Sequence, residues 1–221
     1  MRTTTTRAVA AAAAATLALV LTACGGSDGS TDAGADAPLV STDATQKAST
    51  VLDTPFDKPD MILTDTHGTK YDLVKETAGK PTLLFFGYTH CPDVCPTTMS
   101  DIAIAKSKLT KAEQAALTVV FVSTDPERDT PSRLGAWLDA MDASFVGLTG
   151  DFATIQAGAR SLGIAVDKPV KEKDGSITVT HGAEVVAYSP KDDKAHVLYM
   201  SGTTSQQFAA DLPKIIQGRT P

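Results

Sequence analysis

The chain has 221 residues, a formal net charge of −6 at pH 7, three cysteines and four histidines. An acidic chain without a run of basic residues argues against binding to nucleic acid, and against electrostatic binding to anionic lipid. Removal of an N-terminal segment that holds Arg2 and Arg7 and no acidic residue makes the rest of the chain more acidic still.

Residues 1–23 have the pattern of a secretory signal peptide, in which two arginines precede an apolar run from Ala8 to Leu21. The run is shorter than the ~20 apolar residues that span a bilayer. It ends in Leu21-Thr22-Ala23-Cys24, which resembles the bacterial lipobox; an ordinary signal with a chance cysteine is the alternative. We therefore expect Cys24 to become a lipidated N-terminus that anchors the protein to the extracytoplasmic face of the cell membrane.

Residues 24–50 are predicted to form a linker, because their glycine, serine, threonine, aspartate and alanine residues offer little surface to bury. Residues 51–221 have the length of one domain with a single core. The functional site is expected within this domain.

The domain shows alternating strand and helix signals after an initial hairpin, whose turn is Thr66-His67-Gly68. The predicted elements that follow are a strand at 82–86, a helix at 96–109, a strand at 117–122, a helix at 130–141, a strand at 145–148, a helix at 152–162, a hairpin at 184–200 and a helix at 203–216. This order predicts an α/β fold with a central, mainly parallel sheet flanked by helices. It resembles the thioredoxin fold with an extra N-terminal β-hairpin.

Cys91 and Cys95 directly follow the strand at 82–86, where sites of open α/β sheets gather. Two thiols there suit disulfide exchange or the binding of a soft metal ion. A purely structural disulfide is disfavoured, because so small a loop restrains little of the unfolded chain. Pro96 cannot donate a helical hydrogen bond, so we expect regular helix to begin near it and the pair to lie in a turn. The nearby helix N-terminus is expected to lower the pKa of the thiols.

Two thiolates favour Cu(I), with Zn²⁺ as a competitor, and an imidazole is the natural third ligand. His67 lies in a turn, His196 in a hairpin strand, and His90 next to Cys91. His181 lies just before the second hairpin, in a loop that faces the cysteine turn in a thioredoxin-like fold. From the residues alone, His181 could be either a metal ligand or a structural histidine.

Three motifs together resemble the Sco/SenC family and occur in that family's order. They are Gly87-Tyr88-Thr89-His90-Cys91-Pro92-Asp93-Val94-Cys95-Pro96, Ser123-Thr124-Asp125-Pro126-Glu127-Arg128-Asp129-Thr130-Pro131 and Val179-Thr180-His181. The resemblance implies a membrane-tethered, thioredoxin-like protein that binds one copper ion. Such proteins assist assembly of the binuclear copper centre of cytochrome c oxidase, as copper donors, thiol reductants or both.

The resemblance also implies roles for individual residues. Carried over, the copper ligands are Cys91, Cys95 and His181, for Cu(I), Cu(II) or both, and Asp125 lies near the site. The implied partner is the copper-bearing oxidase subunit or another copper chaperone. This chain has Thr180 where the family often has an acidic residue, which is expected to alter the tuning of the imidazole and not its ligation.

The rival hypothesis is an extracytoplasmic thiol–disulfide oxidoreductase, or a peroxidase, in which Cys91 and Cys95 are the redox-active residues. That chemistry does not require His181. A zinc site is a third alternative and the weakest, because the sequence offers no obvious general base.

Overall fold

The computed structural model describes residues 49–221. The predicted signal peptide, the lipidation site Cys24 and residues 24–48 of the predicted linker lie outside the described residues. Ser49 and Thr50, the last two residues assigned to that linker, lie in the first strand. Within the described part of the chain, no helix combines the length and the apolar character needed to cross a membrane.

The described chain contains ten strands and six helices. The strands are β1 (Ser49–Phe56), β2 (Ile62–Asp65), β3 (Lys70–Asp72), β4 (Thr82–Gly87), β5 (Thr118–Ser123), β6 (Val146–Thr149), β7 (Val170–Lys171), β8 (Ile177–Thr178), β9 (Val185–Tyr188) and β10 (Ala195–Tyr199). The helices are α1 (Leu73–Glu76), α2 (Val94–Ser107), α3 (Lys111–Ala116), α4 (Pro131–Asp139), α5 (Phe152–Ser161) and α6 (Ser205–Ile216).

Eight strands form one sheet in the order β1-β10-β9-β4-β5-β6-β2-β3, and β7 pairs with β8 alone. The central strands β4, β5 and β6 are parallel to one another. The strands on either side, which include the N-terminal hairpin β2–β3, pair antiparallel. The predicted α/β, thioredoxin-like fold with an extra N-terminal hairpin is therefore confirmed.

The apolar run of β4 is buried on both faces because helices cover both sides of the sheet. Leu83 and Phe85 pack into one core cluster with residues of α2, α4 and α6. Leu84 and Phe86 pack into the other cluster, with residues of α1 and α5. The alternation of side chains along β4 thus supplies both halves of the core.

Several short elements were not predicted. β1 shows no regular apolar alternation. It is an edge strand in which only Ser49 is buried, and its pairing with β10 is a tertiary contact. The six-residue helix α3, also not predicted, has a local sequence signal: Thr110 and Glu113 form a reciprocal capping box. Helix α2 begins at Val94, two residues before its predicted start, so Cys95 lies in its first turn and not in the preceding loop.

Candidate metal centre

Sheet topology brings distant segments of the chain to one edge. β4 ends at Gly87, and the loop that follows carries Cys91 and leads into α2. β9 runs antiparallel to β4, with Val185 opposite Phe85. The residues before β9 therefore lie at the same edge as the residues after β4, which places the loop that contains His181 beside the cysteines.

Cys91, Cys95 and His181 form a compact group of potential metal ligands. One ligand atom from each residue lies within 4.8 Å of the other two. The distance from Cys95 Sγ to His181 Nε2 is 3.5 Å, and the backbone N–H of Cys95 donates to Cys91 Sγ at 3.4 Å. The two cysteines are not joined by a disulfide bond in the structure; Cys95 is buried, whereas Cys91 is partly exposed. The structure thus brings together the three side chains that the sequence singled out.

Hydrogen bonding fixes the tautomer and orientation of His181. Its Nδ1 lies 2.7 Å from the carbonyl oxygen of Gly182, which only accepts, so Nδ1 carries the proton and Nε2 presents a lone pair toward Cys95. Burial lowers the pKa of His181, which keeps the imidazole neutral at pH 7. The Tyr88 ring meets the imidazole edge-on at 5.6 Å between centroids. His181 is therefore oriented for ligation through Nε2.

The two thiols differ in their acidity. Burial raises the pKa of the Cys91 thiol, but the backbone N–H groups of Cys95 and Asp93 more than offset it and lower this pKa below its ordinary value. Burial raises the pKa of the Cys95 thiol, and the backbone N–H of Tyr88 offsets only part of that effect. The expectation of a lowered thiol pKa at the helix N-terminus holds for Cys91 and is wrong for Cys95, because Cys95 belongs to the core.

The acidic residues of the second motif separate into two roles. Asp125 is buried, and its carboxylate forms an ion pair with Arg128. Asp129 is the acidic residue that contacts the cysteine loop. Its carboxylate accepts hydrogen bonds from the backbone N–H of Thr89 at 3.0 Å and from Thr89 Oγ1 at 2.6 Å. The sequence analysis assigned no role to Asp129. No local pattern could have identified this contact, since the two residues lie 40 positions apart.

The other three histidines do not belong to this group of ligand atoms in the described residues. His90 is adjacent to Cys91 in sequence, but its Nδ1 lies 3.7 Å from the carboxylate of Asp129. His196 Nε2 lies 2.8 Å from Asp192, in the β9–β10 hairpin. His67 lies in the turn between β2 and β3. His181 is the histidine that completes the group in the described residues.

A shallow cleft of about 360 Å³ opens onto the group and makes it accessible. Apolar side chains, including Tyr88, Pro92 and Val179, line this cleft next to Cys91 and His181. Two sulfur atoms and one imidazole nitrogen are soft to borderline ligands, and this set fits copper. Together, the fold and the site define a thioredoxin-like protein with a Cys₂His group suited to copper.

Comparisons with known proteins agree with this class. The SCO1/SenC family model matches residues 48–217, and the chain belongs to that family. Protein SenC of Rhodobacter capsulatus is 35% identical over 117 residues, which are 53% of this chain and 50% of that protein. The chain spans about a third to a half of the length of the curated relatives it matches.

Solved structures cover most of the domain. Apo Sco1 from Thermus thermophilus is 31% identical, with a TM-score of 0.66 and coverage of 75% of this chain and 95% of that one. Copper-bound ScoI from Bradyrhizobium japonicum is 35% identical, with a TM-score of 0.62 and coverage of 73% and 98%. The suspected resemblance to Sco/SenC proteins is thereby confirmed.

Proposed function

We propose that this protein is an extracytoplasmic copper chaperone that binds one copper ion through Cys91, Cys95 and His181. The observation that carries the proposal is the convergence of the three ligand atoms within 4.8 Å, with the lone pair of His181 Nε2 directed at Cys95. Copper is the cargo in this proposal. The two thiolates bind Cu(I), and the imidazole extends the site to Cu(II).

The proposed recipient is the copper-bearing subunit of cytochrome c oxidase or another copper chaperone. Membership of the SCO1/SenC family and the three sequence motifs support this recipient. The accessible cleft beside Cys91 suits ligand exchange, in which incoming ligands displace the three protein ligands one at a time.

Attachment to the membrane through lipid at Cys24 is part of the proposal and rests on the lipobox-like sequence. Two acyl chains hold a protein at a membrane stably, whereas one chain binds reversibly. In fractionated cells, Cys24→Ser is expected to move the protein from the membrane to the soluble fraction. An unchanged membrane fraction would contradict the anchor and leave the copper site unaffected.

The deciding experiment measures copper retained by the reduced chain from Gly25 onward against a competing chelator. Wild type is expected to retain about one copper per chain, for Cu(I) and for Cu(II), as one set of three ligands predicts. His181→Ala is expected to weaken Cu(II) retention more than Cu(I), because thiolates alone hold the softer ion. His67→Ala, which alters a turn histidine, is the control and should behave as wild type. Equal loss of both oxidation states in His181→Ala would contradict the ligand assignment.

A thiol–disulfide oxidoreductase is the second candidate, and the difference between the two thiols favours it. Cys91 is partly exposed with a lowered pKa, and Cys95 is buried behind it, which suits a nucleophilic thiol and a resolving thiol. This function predicts disulfide exchange that His181→Ala leaves unchanged. Failure of the wild type to retain copper, together with rapid exchange, would establish it in place of copper delivery.

A further inference from the structure

Asp129 is a fully buried carboxylate that joins the cysteine loop to the end of β5. It is 0% exposed and accepts hydrogen bonds from the backbone N–H of Thr89 at 3.0 Å, from Thr89 Oγ1 at 2.6 Å and from Ser123 Oγ at 2.7 Å. Thr89 lies two residues before Cys91. A single carboxylate therefore connects the segment that delivers a thiol to a strand of the central sheet.

Further hydrogen bonds hold the same segment on both sides of Thr89. The carbonyl of Gly87 accepts from the backbone N–H of Thr124 at 2.6 Å and from its hydroxyl at 3.1 Å. On the other side, the N–H of Cys91 donates to the carbonyl of Tyr88 at 3.2 Å, which closes a tight turn. Asp129 attaches this turn to the sheet through its hydrogen bonds to Thr89 and Ser123. The sheet therefore helps to fix the orientation of the turn.

The buried charge itself needs an explanation. An ionised carboxylate loses its hydration on burial and is retained only where hydrogen-bond donors replace the water. Asp129 is held from its own side as well, because its backbone N–H donates to the Asp125 carbonyl at 2.9 Å. Its side-chain donors belong to two segments, β5 and the cysteine loop. The Asp129 carboxylate thus holds the cysteine loop against β5 through hydrogen bonds. An apolar side chain could not accept these bonds.

We infer that Asp129 is a positioning residue for Cys91, and that it acts by anchoring Thr89. It keeps Cys91 Sγ within reach of Cys95 Sγ and His181 Nε2. Release of the anchor lets the turn sample other orientations and lowers the effective concentration of Cys91 Sγ against both partners. The inference rests on the proposed function for its copper measurement only. The disulfide equilibrium of Cys91 and Cys95 depends on the position of the loop and is measured without metal.

The disulfide readout uses glutathione disulfide as the oxidant. The Cys91 thiolate attacks one glutathione sulfur, forms a mixed disulfide and releases one glutathione; Cys95 then attacks Cys91 Sγ and releases the second. Two electrons pass from the protein thiols to glutathione disulfide, and the two thiol protons end on the two glutathione molecules. The equilibrium constant of this reaction measures how readily the two sulfurs meet.

The experiment compares Asp129→Asn and Thr89→Val with wild type in the full chain. Asp129→Asn is expected to lower the equilibrium constant about tenfold, because hydrogen bonds to a charged acceptor are lost. A tenfold fall raises the reduction potential by about 30 mV. Thr89→Val keeps the charge of Asp129 and loses only the hydroxyl anchor, so a smaller fall of roughly threefold is expected. Copper retention should fall by similar factors in both variants.

Thr77→Val is the matched control. Thr77 is also 0% exposed, and its hydroxyl donates to the carbonyl of Leu73 at 2.6 Å, ahead of β4 and away from the cysteine loop. It is expected to lose stability as Thr89→Val does and to leave the glutathione equilibrium unchanged.

Each outcome decides the inference. Glutathione equilibria that match wild type in Asp129→Asn and Thr89→Val would overturn it, as would an equal shift in Thr77→Val. If Asp129→Asn does not fold, the comparison of the glutathione equilibrium constants of Thr89→Val and Thr77→Val decides the inference. Failure of the wild type to retain copper would refute the proposed function and leave the glutathione measurement as the test of Asp129.

Discussion

The two cysteines are four residues apart, yet they occupy different environments. Cys91 lies in a loop beside an open cleft, where backbone N–H groups from the first turn of α2 stabilise its thiolate. Cys95 is 0% exposed and packs in the core cluster shared by α2, α4 and α6. A thiolate at Cys95 is therefore disfavoured until a bound metal ion compensates for burial.

This difference predicts selective alkylation. With iodoacetamide at pH 7, Cys91 is expected to react faster than Cys95 by an order of magnitude or more, since each pKa unit changes the thiolate fraction about tenfold. A lowered pKa means that the thiolate of Cys91 already forms at lower pH. Its alkylation rate should therefore reach its half-maximal value at a lower pH than that of an unperturbed cysteine thiol. Peptide mass spectrometry measures both rates.

The control for this experiment is Cys91→Ser, in which Cys95 should stay almost unmodified over the same period. Equal rates for the two cysteines in the wild type would contradict the burial and hydrogen bonding that distinguish them.

At the scale of elements, the junction of β4 and α2 depends on a close approach at Gly87. A Cβ atom built on Gly87 would lie 2.9 Å from Cys95 Sγ and 2.9 Å from ring atoms of both Phe85 and Phe121. Real Cβ atoms essentially never come so close to other heavy atoms, so glycine is required by space rather than by backbone conformation. The absence of a side chain here lets the thiol of α2 sit against the end of the strand.

Gly87→Ala is therefore expected to damage both the packing and the site. Overpacking should lower the free energy of unfolding by about 1–3 kcal/mol. Copper retention should fall as well, because Cys95 Sγ must move. Chemical denaturation and chelator competition measure the two effects.

The matched control is Gly135→Ala in α4, where the nearest atom to a new Cβ is Thr66 Cβ at 3.2 Å. Its change in stability should stay within about 1 kcal/mol, since alanine favours the helix, and its copper retention should not change. Wild-type copper retention in Gly87→Ala would show that the contact with Cys95 is unimportant.

At the scale of the whole molecule, a buried lysine links three segments at the edge opposite the metal centre. Lys58 has a side chain only 3% exposed, and its Nζ donates to the Thr77 carbonyl and to Asp193, both at 2.6 Å. Asp193 lies in the β9–β10 turn, and it also accepts from the backbone N–H of Gly79 at 2.8 Å. The chain after β1, the loop before β4 and the second hairpin are thus tied together.

Lys58→Met is expected to lower the free energy of unfolding by about 1.5–3 kcal/mol, the range for hydrogen bonds to charged groups. Copper retention should match wild type, because the contact lies at the far end of β4 and β9. Urea denaturation and chelator competition measure the two properties.

Lys194→Met is the control for exposure. Its ion pair with Asp57 has a similar length, 2.7 Å, but both side chains are largely solvated, at 45% and 82% exposure. The expected loss of stability is much smaller than in Lys58→Met, because solvent screens an exposed ion pair. Equal losses in the two lysine variants would contradict a special role for the buried contact.

Local signals allowed much of this fold to be predicted. The apolar runs of β4 and β5, the helical spacing in α2 and the proline at the start of α4 each act within a few residues, and the structure has those elements close to the predicted places. The cysteine pair at the end of β4 was recognisable for the same reason. The family was identifiable because each of its three motifs is an uninterrupted stretch of sequence.

The tertiary structure decided what depends on contacts between distant residues. Cys95 and His181 are 86 positions apart and meet only because β9 runs antiparallel to β4. The burial that separates the two thiols, and the anchoring of Thr89 by Asp129, likewise follow from which helices and loops cover the end of the sheet. The main elements, the fold class and the candidate ligands could be predicted from the sequence, since short-range periodicity and motif chemistry encode them. The spatial arrangement and environment of the ligands required the folded sheet, because burial and long-range pairing are properties of the whole domain.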